Sequence, residues 1–322
     1  MEQIGANIFV ETVYPGVNVG CIVTDEGAIC VDTPLLPGEA QRWRARISSL
    51  GVEFVRFVVY TNGQSERVLG TQYFMCEEGD PCIQQLASAR QASRPRGLLF
   101  PQLTTPAIPE RYKSVRMSAV VAHKVAWEQV QEQRTDSFKQ SMIDTFGDRD
   151  PDMVELEVIL PQITFEKSIK LYAGDLTVML LAAAPGMLWV WLAEESVFFA
   201  GDTVVVGTHP PLTVASVQEW LAALEWLRQE QEFSDAVVVP GRGPLCDMSV
   251  VDPMMEYLRV TRRKTHDVYR AGRPKAELNE VAAELLPLYP VADGQRERVQ
   301  RQIKLGLDEL YDEFKAVDTA TE

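Results

Sequence analysis

Residues 58–70, VVYTNGQSERVLG, join an apolar run to a helical segment through a short polar loop. The run 54–59 that leads into the loop is mostly apolar, which is typical of a short buried strand. Residues 61–64 interrupt this run, and helical composition resumes over 66–74. Loops at such junctions commonly carry functional side chains, because the flanking elements hold them in place. The polar residues of this loop are therefore the first candidates for a site.

The rest of the chain predicts two groups of strands with helices around them. Three β-rich runs within 6–33, separated by Pro-Gly and Asp-Glu-Gly turns, predict antiparallel strands. Further strands are predicted at 117–122, 154–160, 164–172, 176–182, 188–192, 197–200 and 236–239. Helices are predicted at 38–50, 123–133, 136–146, 212–231, 254–271, 275–286 and 294–314.

Motif frames in the first half resemble those of the metallo-β-lactamase fold. Asn18, Glu26-Gly27 and Asp32-Thr33 occupy the places of its opening strands. Residues 61–67 occupy the place of Thr-His-x-His-x-Asp-His, with Gly70 as the downstream glycine. The frame is kept, whereas the histidines are absent.

The second half continues the resemblance in the same order. Residues 183–187, AAPGM, stand where the family has His-Thr-Pro-Gly-Ser, and 240–244, PGRGP, stand where it has Pro-Gly-His-Gly-Pro. Gly201-Asp202 ends a strand at the place of the family's metal-bridging carboxylate. The resemblance implies an α+β fold, a four-layer αββα sandwich of the metallo-β-lactamase type with a C-terminal helical extension.

We predict three parts of the chain from this resemblance and from the helical pattern at its end. The αββα domain should span 1–250, the helical extension 251–315, and a flexible tail 316–322. Residues 75–115 are rich in Pro, Arg, Gln and Glu, and we expect them to form an inserted loop region near the site.

The resemblance assigns seven ligand positions, and most of them hold residues that bind metal poorly. These positions are Asn62, Gln64, Glu66, Arg67, Ala183, Asp202 and Arg242. Zinc in proteins is held by imidazole, thiolate and carboxylate donors, and two arginines would repel a cation. We therefore expect no zinc, no other cofactor and no catalytic residue, with Asp202 as the carboxylate that survives unchanged.

Three interpretations of this degenerate pocket stay open. In the favoured one, Arg67 and Arg242 neutralise Glu66 and Asp202, and the protein has lost its metal centre for a binding or structural role. In the second, the arginines bind a small anionic ligand. In the third, an active hydrolase holds Mg²⁺ or Mn²⁺ through Asp202, Glu66, Asn62 and Gln64, with His209 as the base.

Composition restricts the partners and the location. The net charge of −15 argues against nucleic acid, because no basic patch compensates for it. No apolar run reaches the ~20 residues of a membrane span, and the first residues lack a signal peptide, so we expect a cytoplasmic protein. The amphipathic helix 294–314, with Trp220 and Trp226 on another helix, predicts a homodimer. Cys21 and Cys30 are expected to be reduced core residues.

Overall fold

The structure, a computed structural model, describes residues 1–75 and 118–321, in which twelve strands form two sheets. The predicted inserted loop of 75–115 lies, apart from Met75, outside the described residues. The first sheet consists, in spatial order, of β1 (Glu2–Gly5), β2 (Ile8–Glu11), β3 (Val19–Thr24), β4 (Gly27–Val31), β5 (Val55–Val59), β6 (Ala119–His123) and β7 (Ile163–Phe165). The second consists, in spatial order, of β12 (Val237–Arg242), β11 (Val197–Val205), β10 (Met187–Leu192), β9 (Leu176–Ala184) and β8 (Ser168–Ala173).

Eight α-helices are found in the same described part of the chain. They are α1 (Pro37–Ser48), α2 (Ser65–Val68), α3 (Lys124–Glu132), α4 (Asp136–Phe146), α5 (Val217–Gln229), α6 (Val251–Arg270), α7 (Leu278–Leu285) and α8 (Arg296–Thr321). Local sequence explains their limits. Thr135 caps α4 by accepting a hydrogen bond from the Phe138 amide, and Trp43 and Ile47 give α1 a buried face with i, i+4 spacing.

Three apolar layers hold the elements together and define a four-layer αββα arrangement. The layer between the two sheets contains Ile8, Ile22, Ile29, Val59, Leu180, Val190 and Phe199. The layer between the first sheet and its helices contains Trp43, Ile47, Val58, Ala122, Ala126 and Val130. The layer between the second sheet and its helices contains Trp189, Trp220, Leu224, Met255, Leu258 and Leu307. The predicted fold class is confirmed, and α6 to α8 form the C-terminal helical extension.

Two predicted strands are wrong: 164–172 is divided between β7 of the first sheet and β8 of the second, and 154–160 is not a strand. Residues 154–160 alternate apolar and polar side chains, but the structure has a 3₁₀ turn at Pro151–Glu155 and then a segment outside both sheets. Asp150 starts the turn by accepting from the Asp152 amide. Leu156 lies in the layer that contains Trp43, and Val158 and Leu160 pack against it, so burial and not strand pairing accounts for these apolar positions, whereas Val154 is 57% exposed. At the other end of the chain, α8 continues to Thr321 through most of the predicted tail, whose flexibility stays a prediction.

Parallel pairing in the first sheet decides where the polar residues gather. Strands β4 and β5 are parallel neighbours with Val31 opposite Val59, so Asp32 and Thr61 emerge at the same edge. Across the sandwich, β11 is buried along its whole length and carries Asp202. A register shift against β12 begins at Gly201, whose φ of +54° and close approach to Thr61 favour glycine. The two sheets therefore meet at Thr61 and Asp202.

Candidate functional site

Arg67 lies at the centre of the site, and its side chain is 0% exposed. It belongs to the short helix α2, which directly follows the polar loop after β5. Its Nη1 donates to Asp32 Oδ2 at 2.6 Å, and its Nε donates to Asp202 Oδ2 at 3.0 Å. Its Nη2 donates to Asp202 Oδ1 and to the Gly241 carbonyl, the latter at 3.1 Å. Arg67 thus joins the end of β4, the middle of β11 and the end of β12.

Asp202 accepts hydrogen bonds from three side chains, with both carboxylate oxygens engaged. Besides Arg67, Arg242 donates from Nε to Oδ1 at 3.0 Å and from Nη2 to Oδ2 at 3.5 Å. The amide nitrogen of Asn62 donates to Oδ2 at 3.0 Å, while its oxygen accepts from the Gln64 backbone at 2.9 Å. A carboxylate offers about four lone-pair sites. The donors present saturate Asp202.

Asp32 provides the second carboxylate, immediately after β4. Its oxygens accept from the Thr61 amide at 2.7 Å and from the Thr61 hydroxyl at 2.6 Å, in addition to Arg67. Its φ is +55°, a left-handed conformation that an aspartate adopts more readily than most residues. The formal charges of Asp32, Asp202, Arg67 and Arg242 sum to zero, so these four residues, together with Asn62, form a neutral ion-pair network.

Two glycines and one asparagine let the backbone approach this ion-pair network closely. A Cβ on Gly241 would lie 2.5 Å from Arg67 Nη2 and 2.6 Å from Asp202 Oδ1, so no larger residue fits without displacement. Asn18 holds the following turn by donating to the carbonyls of Pro240 and Gly243, both at 2.8 Å. Gly243 within that turn has a φ of +91°. The Pro-Gly-x-Gly-Pro frame therefore has a structural role that does not depend on a metal.

Burial and charge act in opposite directions on the two carboxylates. Burial by itself would raise the pKa of Asp202, but Arg242 and Arg67 hold this pKa well below its usual value. Burial raises the pKa of Asp32, although Arg67 and Thr61 oppose the rise. The two carboxylates in turn raise the pKa of Arg67 against the effect of its burial. Arg67 is therefore charged at any accessible pH.

Comparison with solved structures identifies the architecture. A metallo-β-lactamase family protein from Thermus thermophilus superposes with a TM-score of 0.59 at 14% identity, covering 96% of this chain and 94% of that chain. A metallo-β-lactamase from Pontibacter korlensis gives 0.50 at 18% identity, with 80% and 97% covered. The chain has the metallo-β-lactamase fold. A stereoselective inverting sec-alkylsulfatase from Pseudomonas sp. gives 0.64 at 12% identity, covering 95% of this chain and 49% of that chain.

Identities this low show the fold alone, and the metallo-β-lactamase fold does not by itself fix an activity. No protein-family model matches the chain, and no curated protein matches it in sequence. The site of this metallo-β-lactamase fold must therefore be judged from its own residues.

The residues present do not fit the dinuclear metal centre that the fold implies. Both oxygens of Asp202 are taken by guanidinium and amide donors, and the buried Arg67 places a fixed positive charge beside them. A divalent cation would have to displace that charge from a site without imidazole or thiolate donors. Among residues 1–75 and 118–321, no group of three or more His, Cys, Asp or Glu side chains could hold a metal ion.

The structure gathers four of the seven predicted positions: Asn62, Arg67, Asp202 and Arg242. The prediction that Arg67 neutralises Glu66 is wrong. Arg67 pairs with Asp32 instead, because β4 and β5 end side by side, while the Glu66 carboxylate accepts from the Ser65 hydroxyl at 3.2 Å. Glu66 and Arg242 Nη1 both lie beside Gly16 at the rim.

Two further predicted positions and the predicted base lie outside the ion-pair network. Gln64 contributes its backbone amide to Asn62, and Ala183 packs against the helix-covered layer of the second sheet. His209 bonds to the Tyr257 hydroxyl and to the Leu286 carbonyl, both at 3.1 Å, and does not reach toward Asp202. Sequence reasoning missed Asp32 as a site residue. The available signal was the Asp32-Thr33 pair at the end of a predicted strand.

None of the helices in residues 1–75 and 118–321 combines the length and the apolar composition that a membrane crossing requires.

Proposed function

We propose that this protein is a metal-free, non-catalytic relative of the metallo-hydrolases that share its fold, in which the former catalytic centre serves as a structural ion-pair network. Full burial of Arg67 between Asp32 and Asp202 carries the proposal. A guanidinium that no solvent reaches can neither bind a substrate nor make room for a nucleophilic water. Its role is to join β4, β11 and β12 at the edge where a metal would otherwise join them.

An anion-binding pocket is the less favoured alternative. Arg242 is the arginine that reaches solvent, with its side chain 22% exposed. Its charge is already matched within the neutral ion-pair network, and Glu66 adds a negative charge at the same rim. An approaching anion would meet this carboxylate as well as Arg242, so the local electrostatics do not favour its capture.

The proposal is tested by metal content. Protein purified without chelators, and again after incubation with zinc, manganese or magnesium salts and desalting, should contain far less than one metal ion per chain by elemental analysis. The Asp202→Asn variant is the matched control, because it removes the carboxylate of the ion-pair network. Near-stoichiometric metal in the wild type that is lost in Asp202→Asn would overturn the proposal and support the hydrolase alternative.

The anion alternative has its own measurement. Phosphate and sulfate should raise the melting temperature of the wild type and of the Arg242→Met variant equally, as general salt effects do. A stabilisation that saturates with anion concentration and disappears in Arg242→Met would establish anion binding at the rim.

A further inference from the structure

Cys21 and Cys30 face each other across two neighbouring strands. They are register partners in the antiparallel pair β3 and β4, and both side chains are 0% exposed. Both thiols are free, and both lie within the layer that contains Trp43. The two positions are nine residues apart in sequence, and neither belongs to the ion-pair network.

The backbone hydrogen bonds around this pair show which kind of register partners they are. On β4, the amides of Ala28 and Asp32 donate to Phe54 and Val59, on the β5 side, at 2.9 and 2.8 Å. Since strand amides alternate sides with a period of two, the Cys30 amide also points toward β5 and away from β3. On β3, the Val23 amide donates to Asn7, on the β2 side, at 2.8 Å. By the same alternation, the Cys21 amide points away from β4.

Cys21 and Cys30 therefore form a non-hydrogen-bonded pair, the kind in which facing side chains lie closest. Facing Cα atoms in such pairs are about 4.5 Å apart, within the 4.4–6.8 Å window that a disulfide needs. A bond between the two sulfurs would then require side-chain rotation with little movement of either strand.

We propose that Cys21 and Cys30 are a redox-convertible pair that closes to a cross-strand disulfide when a hydroperoxide reaches the layer around them. One thiol loses its proton and attacks hydrogen peroxide, keeps one oxygen as a sulfenic acid, and the other oxygen leaves with that proton as water. The second thiol attacks that sulfur, forms the S–S bond and releases a second water. Overall, two thiols lose two hydrogens and one hydrogen peroxide is reduced to two waters.

The environment makes this conversion slow in the closed protein. The neighbouring Cys21 thiol and burial raise the pKa of Cys30, which disfavours the reactive thiolate. Oxidation therefore proceeds through local opening of the helices above the pair. Once formed, the disulfide ties β3 to the strand that leads, two residues later, into Asp32.

The experiment uses the full chain with Cys76, Cys82 and Cys246 replaced by serine, so that two thiols remain. After hydrogen peroxide treatment, unfolding and alkylation, we expect a species that is lighter by two hydrogens and resists alkylation, with a peptide linking Cys21 to Cys30. The melting temperature of this species should rise by on the order of 2–4 °C and return to its starting value with a thiol reductant.

The matched control adds Cys21→Ala to the same background, which should abolish the linked peptide and the reversible rise. Two results would overturn the proposal. One is that both thiols remain fully alkylatable after treatment that oxidises Cys246 in the wild type. The other is that Cys21 or Cys30 ends as a sulfinic or sulfonic acid without any linked product. If the serine background proves unstable, the same linked peptide can be sought in the oxidised wild type.

Discussion

Arg67 contributes to this structure as a buried cation shared by two carboxylates. Four hydrogen bonds leave its guanidinium, two to Asp202 in β11, one to Gly241 in β12 and one to Asp32 directly after β4. Taking such a charge out of water is costly, and the cost is offset only while its partners remain in place. Removal of one partner should therefore be far more damaging than removal of an exposed charge.

We predict that Arg67→Met destabilises the protein by about 3–5 kcal/mol, because it leaves Asp32 and Asp202 buried with less positive charge. Adding Asp32→Asn to Arg67→Met should recover part of this loss, since one stranded charge is then removed. Urea denaturation of the single and double variants measures both values.

Two controls accompany that cycle. Glu66→Gln should leave stability nearly unchanged, because Glu66 lies at the rim and bonds to Ser65. Arg242→Met should cost less than Arg67→Met, because its side chain is partly exposed and Arg67 still neutralises Asp202. Equal effects of Arg67→Met and Glu66→Gln would show that Arg67 has no special role.

A second prediction concerns Gly241. The Gly241→Ala variant should be destabilised by about 1–3 kcal/mol, because its new methyl group would collide with Arg67 and Asp202. Gly294→Ala is the matched control, since nothing lies within 4 Å of a Cβ built there. Thermal unfolding of both variants decides the point. Equal melting temperatures would contradict the close approach of the backbone to the ion-pair network.

At the residue scale, the sequence predicted the contacts of Arg67 and Arg242 with Asp202, because all three lie in motif frames. It missed the contact between Arg67 and Asp32, which sheet pairing creates. Arg67, Arg242 and Asp202 were identified as mutual partners from their frames alone. Asp32 lies 35 residues before Arg67 and reaches it because β4 and β5 are parallel neighbours. Sequence adjacency pointed to Glu66, but neighbours on a short helix face different directions.

At the scale of elements, the loop after β11 is fastened to the C-terminal helices through His209. Its Nε2 carries the proton, because the Leu286 carbonyl can only accept, and its Nδ1 accepts from the Tyr257 hydroxyl. Tyr289 packs edge-on against the same ring at 5.2 Å. Neutral His209 thus satisfies both partners, and a second proton on the ring would disrupt the hydrogen bond from Tyr257.

Burial lowers the pKa of His209 below its ordinary value of 6.5, so the unfolded chain binds this proton more readily than the folded one. The stabilising contribution of neutral His209 should therefore be present above the unfolded-state pKa of 6.5 and should be lost as the pH falls below it. The His209→Gln variant should show a shallower decline. Urea midpoints measured across this range test the prediction.

The lowered pKa of His123 contributes a decline of the same sign, and it remains in His209→Gln as an internal control. An unchanged slope in His209→Gln would contradict the contribution of His209.

The failed strand prediction at 154–160 belongs to this scale as well. Alternating apolar residues indicate which side chains are buried, but they do not indicate whether a neighbouring strand is present. The segment that follows the turn at Pro151–Glu155 has no such neighbour among the described residues.

At the scale of the whole molecule, the predicted boundary between the αββα domain and the helical extension, at residue 250, cuts through a continuous apolar layer. Met254, Met255 and Leu258 of α6 lie in the same layer as Trp189 and Trp220. The C-terminal extension is therefore energetically part of the sandwich. Helical periodicity predicts that the extension is a series of helices. Its packing in the same layer as the second sheet depends on which helix faces meet, and this leaves no local signal in the sequence.

We expect the full chain to unfold in a single cooperative transition in guanidinium chloride. Tryptophan fluorescence, which reports on both helix-covered layers through Trp43 and Trp220, should coincide with far-ultraviolet circular dichroism. Separate midpoints for the two probes would instead support an extension that folds on its own.

The homodimer stays a prediction, with a modified basis. Trp220 is completely buried and unavailable, whereas Trp226 is 45% exposed and stacks on Trp189. Light scattering that shows a monomer at high micromolar concentration would contradict it.

The buried pairing of Arg67 with two carboxylates also limits how such a protein can change over generations. Replacement of Arg67 by histidine leaves Asp32 without its cation and Asp202 with Arg242 alone until other ligands and a metal are in place together. Each single substitution produces a chain with a buried, unpaired charge, and metal binding offsets this cost only when several substitutions are present together. Chains intermediate between this ion-pair network and a metal centre should therefore be unstable, and a laboratory lineage should pass between the two only with stability added elsewhere first.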